Sequence, residues 1–405
     1  MCRVDKIKKK LLCMCREMVS PMKILQTPVR FPPYIGGVES YTHDMSKELV
    51  ELGHDVTVLC AKAKEESAYR EVIDGVEVER LDDIGKVAQT NIMPEFPISV
   101  LRHAREADII HTHIPTPWTA DFSALAARLT GTPLVVTYHN DIVGNGVLDH
   151  VASAYNHTAL RFTLGTADKI LITQPDYLES SDHLHRYTEK VEVNSNGVDV
   201  DTFRPIDVAD EDVERLGFSN ESPNLFFLSV LDDVHEYKGL DVLLEAMSLL
   251  VERDGATPRL VVGGGGELKP EYESLASDLG VSEHVHFTGY IPDDDLVTAY
   301  NIADLFVLPS LSSDQEGFGL VVLEALACGT PVVTTEVVGV SDQIVSHELG
   351  SLAGVGNPKS LSDSIVYELK NMGNRSVSDC RNLCTTEYSW HSSAKQLEQV
   401  YHNLI

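Results

Sequence analysis

In an open α/β sheet the side chains just past the carboxyl ends of strands are the ones best placed to meet a ligand. The densest such segment here is Pro309-Ser-Leu-Ser-Ser-Asp-Gln-Glu316-Gly-Phe-Gly-Leu-Val-Val-Leu-Glu324-Ala-Leu-Ala-Cys-Gly-Thr-Pro-Val-Val. Gly317, Phe318 and Gly319 open a helix that Gly329 closes. Free N–H groups at such a start, together with the helix dipole, suit a phosphate. Glu316 precedes the amide cluster and Glu324 lies inside the helix, where carboxylates can accept hydrogen bonds from sugar hydroxyls. An acidic chain produces such pairs by chance, so a solvated helix face is the competing reading.

Lys238, in His235-Glu-Tyr-Lys-Gly-Leu-Asp, follows one strand and precedes a helix as a compact cation suited to phosphate. His139 follows the apolar run Leu134-Val-Val-Thr-Tyr. There it can hydrogen-bond a sugar hydroxyl or help an acceptor lose its proton, against the plain alternative of a His satisfied by nearby backbone. His111 and His113 end another strand on one face, too few for a metal site, so acceptor-side packing is the expectation for His113. Gly36-Gly37 precedes a helix, and Gly263 to Gly266 lacks the spacing of a dinucleotide fingerprint and reads as a tight turn. Asp199-Val-Asp201 and Asp293-Asp-Asp295 mimic a metal-binding pattern. The first falls in linker chemistry and the second reads as a helix N-cap cluster, so no essential divalent metal is expected.

Positioning these groups takes two rounds of the same architecture. In the first, Lys23 to Gln26, Asp55 to Cys60, Ala107 to His111 and Leu134 to Tyr138 read as strands. A helix with apolar residues Val38, Tyr41, Met45, Leu49 and Leu52 ends at Gly53. The second repeats the pattern with strands from Leu225, Arg259, Val285, Leu305 and Pro331 and helices over Gly239–Glu252, Gly319–Cys328 and Leu296–Ile302. Continuous apolar runs are strands buried on both faces, which predicts parallel α/β sheets. Asn196-Gly197-Val198-Asp199, with Phe203 and Pro205, places the junction near residue 204. The expected division is a basic extension at 1–21, an acceptor-side Rossmann-like domain at 22–203, a second such domain at 204–385 and a closing segment at 386–405. Two such domains would face one another across a cleft that holds the ligand.

Composition narrows the partners. A length of 405 residues favours two domains. No run reaches the apolar length of a membrane span, which leaves peripheral contact open. Lys and Arg number 32 against 62 Asp and Glu, a net charge of −30 that repels nucleic acid. Spread acidity fits equally a protein from an acidic, high-salt proteome or a mesophile with an acidic surface. Seven Cys without paired spacings fit reduced thiols and a cytoplasmic setting, with Cys380 and Cys384 read as packed thiols. The positive balance of residues 1–21 fits either a lipid-facing anchor or, preferably, an extension ahead of a natural start at Met22.

Taken with its strand, Gly-x-Gly start and Gly-x-Pro continuation, the Glu316/Glu324 segment resembles the signature of glycosyltransferase family 4, whose two-domain architecture is called GT-B. The resemblance extends from Met22 over nearly the whole chain. It implies that Glu316 contacts a donor sugar, that Glu324 contacts the nucleotide ribose, and that Gly317 to Leu320 cradle the diphosphate. Pro33-Tyr-Ile-Gly-Gly-Val-Glu39 resembles the family's first glycine loop, putting Gly36 and Gly37 near donor phosphate and acceptor. Lys238 would neutralise the leaving diphosphate, and Tyr290 sits where the family's backbone contacts the base. Tyr388-Ser-Trp390 and the helix after it resemble the family's closing helix. Many members carry an Arg where this chain has Val230, with His235 a partial substitute or a solvated loop His. The implied activity is retaining transfer from a nucleotide sugar to a glycan, lipid-linked or polysaccharide-precursor acceptor, cytoplasmic or peripheral at the inner membrane face. A silent nucleotide-sugar-binding partner and an epimerase or hydrolase are the rivals.

Overall fold

The computed structural model describes the chain except residues 1–19, 35, 63–66, 88–89, 143–146, 175–176, 254–256, 314, 317 and 373–375. Nearly all of the basic extension and Gly317 therefore lie outside the described residues. By contacts the chain divides into two compact units. The first runs to Leu171 and includes His183–Glu192 and Leu397–Ile405; the second holds Ile172–Asp182 and Val193–Gln396.

In the first unit the strands of the main sheet are β1 (Lys23–Thr27), β2 (Asp55–Ala61), β3 (Arg70–Ile73), β4 (Val76–Leu81), β5 (Ile109–Ile114), β6 (Leu134–Tyr138), β7 (Lys169–Ile172) and β8 (Val191–Val193). Among the described residues they form one eight-stranded sheet in the order β8-β7-β6-β5-β1-β2-β4-β3. β1 pairs in parallel with both β2 and β5, so the direction of strand succession reverses between β1 and β5. Ligands of open α/β sheets bind outside such a reversal. Helix α1 (Gly37–Leu52) follows β1 and ends at Gly53, whose φ of 105° only glycine adopts readily. The apolar runs are buried as expected, with Ile109, Ile110, Leu134, Val135 and Val136 all at 0% exposure.

The irregular stretch between residues 61 and 106 contains the β3–β4 hairpin, which is antiparallel and turns at Asp74-Gly75 with φ of 48° and 84°. An Asp-Gly turn with positive φ at both positions matches strand twist, and that dipeptide is the signal from which the hairpin was readable.

The second unit carries β9 (Asn224–Leu228), β10 (Arg259–Gly263), β11 (Val285–Gly289), β12 (Leu305–Leu308), β13 (Val332–Thr335) and β14 (Gly350–Ala353). Their order is β11-β10-β9-β12-β13-β14, and among the described residues these strands all pair in parallel. This is the doubly wound order of dinucleotide-binding folds, with its reversal between β9 and β12. Helices α2 (Leu240–Val251), α3 (Asp293–Ile302) and α4 (Leu320–Ala327) flank it. Phe226 of β9, Phe306 of β12 and Tyr300 of α3 meet with ring centroids 5.3 to 5.8 Å apart and centre the core. The Asp293–Asp295 cluster forms the first turn of α3 behind Pro292 rather than its cap. Acidic side chains there oppose the positive end of the helix dipole.

The linker packs with the second unit well before residue 204. Val198 N–H donates to Tyr388 O at 2.7 Å, and the Asn194 amide donates to Ser393 O at 3.0 Å. Gly197 lies so close to Trp390 that a Cβ would sit 2.5 Å from its backbone nitrogen. Trp390 opens the final helix α5 (Trp390–His402), whose residues from Leu397 count with the first unit.

Candidate active site

In the second unit, the loops after β9 and β12 flank the reversal of strand order, and each delivers one charged group. Lys238 ends a short 3₁₀ turn, Glu236–Lys238, and Glu316 follows β12. The Lys238 ammonium donates to both Glu316 carboxylate oxygens, at 2.8 and 2.7 Å. The side chains are 15% and 3% exposed, so the pair is largely withdrawn from water. Ser310 Oγ, fully buried, donates to Glu316 Oε2 at 2.5 Å. Two backbone features hold the loops together. Leu311 N–H donates to Tyr237 O at 2.7 Å, and Gly239, at φ 74°, lies against the Pro309 carbonyl where any Cβ would collide. The Lys-Gly dipeptide is thus required twice, for its charge and for its lack of a side chain. Ser310 carried no motif, and sequence reasoning passed over it.

Gly319 has φ 79°, and a Cβ on it would fall 2.5 Å from Val338 Cγ1, so glycine alone fits before α4. Leu320 begins the helix, 40% exposed. The Phe318 ring is buried at 4% and packs on Tyr388 at 5.3 Å, which leaves its backbone, the part expected to meet the donor, as the part able to meet an anion. Glu324 accepts from Tyr300 OH at 2.7 Å, and burial pushes its carboxyl up to about 7. Near neutral pH Glu324 therefore sits between acid and carboxylate. Tyr290 stands 79% exposed after β11, beside Gly289 at φ 74°. Gly264 and Gly266 press on the carbonyls of Ser229 and Leu231, the close packing of a turn.

Val230, where the family's Arg was sought, is 50% exposed. His235 does not present a free cation in its place, because its Nδ1 lies 2.6 Å from Asp232 Oδ1. That hydrogen bond holds Asp232 below its usual range.

The first unit gathers a second cluster on one face of its sheet. His111 and His113 on β5 stack at 4.9 Å, and His113 stacks in turn on His139, just past β6, at 5.5 Å. His113 Nδ1 and His139 Nε2 are 3.3 Å apart. Tyr41 of α1 lies edge-on to His139 at 4.9 Å. Burial lowers His111 to about 3, His139 to about 4 and His113 well below its usual value, so all three are neutral at pH 7. His113 is at 0% exposure and cannot touch an acceptor; it reaches the site through His139, which remains partly exposed. Gly36 is extended at φ −176°, and any Cβ on it would strike the Glu39 carboxylate; Gly37 is open, with nothing near its Cβ direction. Glu39 is held by Arg30 Nε at 2.9 Å.

Among the described residues no group of three His, Cys, Asp or Glu is placed to hold a metal ion. Nor is any helix among them long and apolar enough to cross a membrane.

Comparison with known proteins agrees with this fold. The model described as Glycosyltransferase Family 4 matches residues 35–202, and that described as Glycosyl transferases group 1 matches 209–402. D-inositol 3-phosphate glycosyltransferase 1 of Catenulispora acidiphila is 30% identical over 86% of both chains. Phosphatidyl-myo-inositol mannosyltransferase of Mycobacterium leprae is 26% identical over 90% of this chain and 92% of its own. The solved structure of Anabaena HepE in complex with UDP superposes with a TM-score of 0.70 at 19% identity, over 94% of this chain and 100% of its own. Matched along both halves, this chain belongs to glycosyltransferase family 4 and is a glycosyltransferase of two Rossmann-like domains in the GT-B architecture.

Proposed function

We propose that the chain transfers a sugar, with retention of anomeric configuration, from a nucleoside diphosphate sugar to a hydroxyl of a glycan, lipid-linked or polysaccharide-precursor acceptor. The observation that carries this is the buried Lys238–Glu316 pair at the strand-order reversal of the second unit. When the bond from the anomeric carbon to the diphosphate oxygen breaks, negative charge grows on the leaving phosphate. Lys238 and the N–H groups opening α4 stabilise it, and such preorganised donors typically contribute about 100- to 1,000-fold in rate. Glu316 holds Lys238 in place and accepts from donor-sugar hydroxyls, while Glu324 accepts from the ribose. The UDP found in the HepE structure supports a nucleotide in this role.

His139 serves the acceptor. With its affinity for protons lowered by burial, it orients the attacking hydroxyl and is too weak a base to keep the proton. The hydroxyl oxygen bonds to the anomeric carbon on the face the diphosphate leaves, and the proton goes to a departing phosphate oxygen. Phosphate charge is met by Lys238 and the helix start, so no divalent metal is required. The relatives' names carry D-inositol 3-phosphate and phosphatidyl-myo-inositol, which supports small polyol or lipid-linked acceptors; on a lipid-linked acceptor the enzyme would work at a membrane surface from the cytoplasm.

The test is incubation with UDP-, GDP- and ADP-sugars and an acceptor panel, with the anomeric configuration of donor and product read by NMR. Inverted product would overturn retention. Release of free sugar regardless of acceptor would favour a hydrolase, and an epimerised donor an epimerase. Binding without turnover would favour a silent partner, the reading that the exposed Val230 and the tied His235 support.

A further inference from the structure

We propose that Thr42, Gln26 and His113 are positioning residues that lock His139 in one tautomer, with Nε2 protonated and Nδ1 left as the lone pair offered to the acceptor hydroxyl. The inference rests on the role given to His139 above and extends it to Thr42 and Gln26, which no motif marks, and to the enclosed His113. Its starting point is one hydrogen atom. Thr42 Oγ1 donates to Val38 O at 2.7 Å, and a carbonyl oxygen can only accept. The single hydroxyl hydrogen is thereby committed. Toward His113 Nε2, 3.3 Å away, the Thr42 oxygen must accept, so that nitrogen carries the hydrogen.

Gln26 agrees with this polarity from the next strand. Its Oε1 lies 3.2 Å from the same His113 Nε2, and its Nε2 lies 3.3 Å from His111 Nδ1. His111 Nδ1 also receives the Tyr401 hydroxyl at 2.6 Å, and His111 Nε2–H is then free to donate to Thr137 Oγ1 at 2.7 Å. Reversing the Gln26 amide would aim its donor at the hydrogen that Thr42 requires on His113. Thr42 therefore breaks the symmetry of the chain.

His113 is fully enclosed and holds one ring hydrogen, so its Nδ1 is a lone pair. Facing it at 3.3 Å, His139 Nε2 must donate. The neutral His139 ring has no second hydrogen, and Nδ1 is bare. The opposite tautomer would point an N–H at the acceptor oxygen and tie up the electron pair that has to attack the anomeric carbon.

The test uses the full chain labelled with ¹⁵N-histidine, with two-bond ¹H–¹⁵N correlations separating protonated from bare ring nitrogens and His139→Asn providing the assignment. Wild type should show His139 with bare Nδ1. Thr42→Val keeps the shape and removes the acceptor, so His139 should show a tautomer mixture and turnover should fall about tenfold or more at unchanged donor KM. Thr42→Ser should restore both. A His139 ring protonated at Nδ1 in wild type overturns the proposal, as does a Thr42→Val variant that loses turnover with its His139 spectrum unchanged. If Thr42→Val does not fold, the wild-type spectrum decides alone. Wild-type transfer by His139→Asn would refute the acceptor role of His139, while the spectrum would still judge the lock.

Discussion

Removing one member of the Lys238–Glu316 pair should harm the fold as well as the reaction, and the two effects can be separated. At 2.8 Å and an effective dielectric near 20 the attraction is about 6 kcal/mol, offset by the cost of taking both ions out of water. Lys238→Met leaves a carboxylate at 3% exposure that keeps the Ser310 hydroxyl, and Glu316→Gln leaves an enclosed ammonium facing a neutral amide. Each single change should cost ~3–5 kcal/mol. That corresponds to a fall of roughly 6–20 °C in the melting of the second unit. The double variant Lys238→Met/Glu316→Gln removes both charges and should recover most of the loss, giving a coupling of at least ~2 kcal/mol in the cycle. Transfer should fall about 100- to 1,000-fold in both single variants and remain low in the double one. The assay is thermal unfolding beside initial rates at saturating donor. Single variants melting with wild type, or a cycle without coupling, would refute the claim that this pair is a built and strained-for arrangement.

Other consequences are quicker to check. Gly239→Ala forces a Cβ onto the Pro309 carbonyl at φ 74°, so it should cost at least ~1–2 kcal/mol in unfolding free energy and raise donor KM by displacing Lys238. Ribose hydroxyls favour the carboxylate form of Glu324, so nucleotide binding at pH 7 should release about half a proton, seen by calorimetry in buffers of different ionisation enthalpy and absent in Glu324→Gln. With its folded value raised to about 7, Glu324 also lends stability that is full below the ordinary carboxylate range and lost as pH rises through about 7. Exhaustive chelation should leave transfer unchanged, and activity lost to a chelator and restored by Mg²⁺ would contradict metal-free phosphate stabilisation.

Both sheets were legible where periodicity was strong. β6 and the strand starts at Lys23, Asp55, Arg259 and Val285 coincide with the apolar runs, because parallel strands buried on two faces must be continuously apolar. β5 lies further along than its run, at Ile109–Ile114, since His111, Thr112 and His113 are buried strand residues that polarity disguises. The charged groups of the site were found through the resemblance and their places after strands. What stayed hidden was direction: nothing local says that Phe318 turns into the core, that His235 is held by Asp232, or that His113 lies beneath His139. Those facts depend on partners far along the chain, and one sequence carries no record of which residues meet.

The residues that reasoning missed share one property. Ser310 and Thr42 are small hydroxyls, each with a single hydrogen committed at short range, to Glu316 in one unit and to the Val38 carbonyl in the other. In both places that commitment decides what a larger neighbour can do. Ser310 donates to the carboxylate that also receives Lys238, so Glu316 is held oriented before any sugar arrives. Thr42 accepts from His113 and thereby sets which nitrogen of His139 is bare. A hydroxyl in water would rotate to suit its partner, but one enclosed beside a fixed acceptor cannot, and its polarity passes along every hydrogen bond that touches it. Replacing such a residue by an isosteric apolar one removes little volume and one acceptor or donor. Its signature should therefore be a rate effect larger than its effect on melting, the reverse of what the aromatic core around Tyr300 would show.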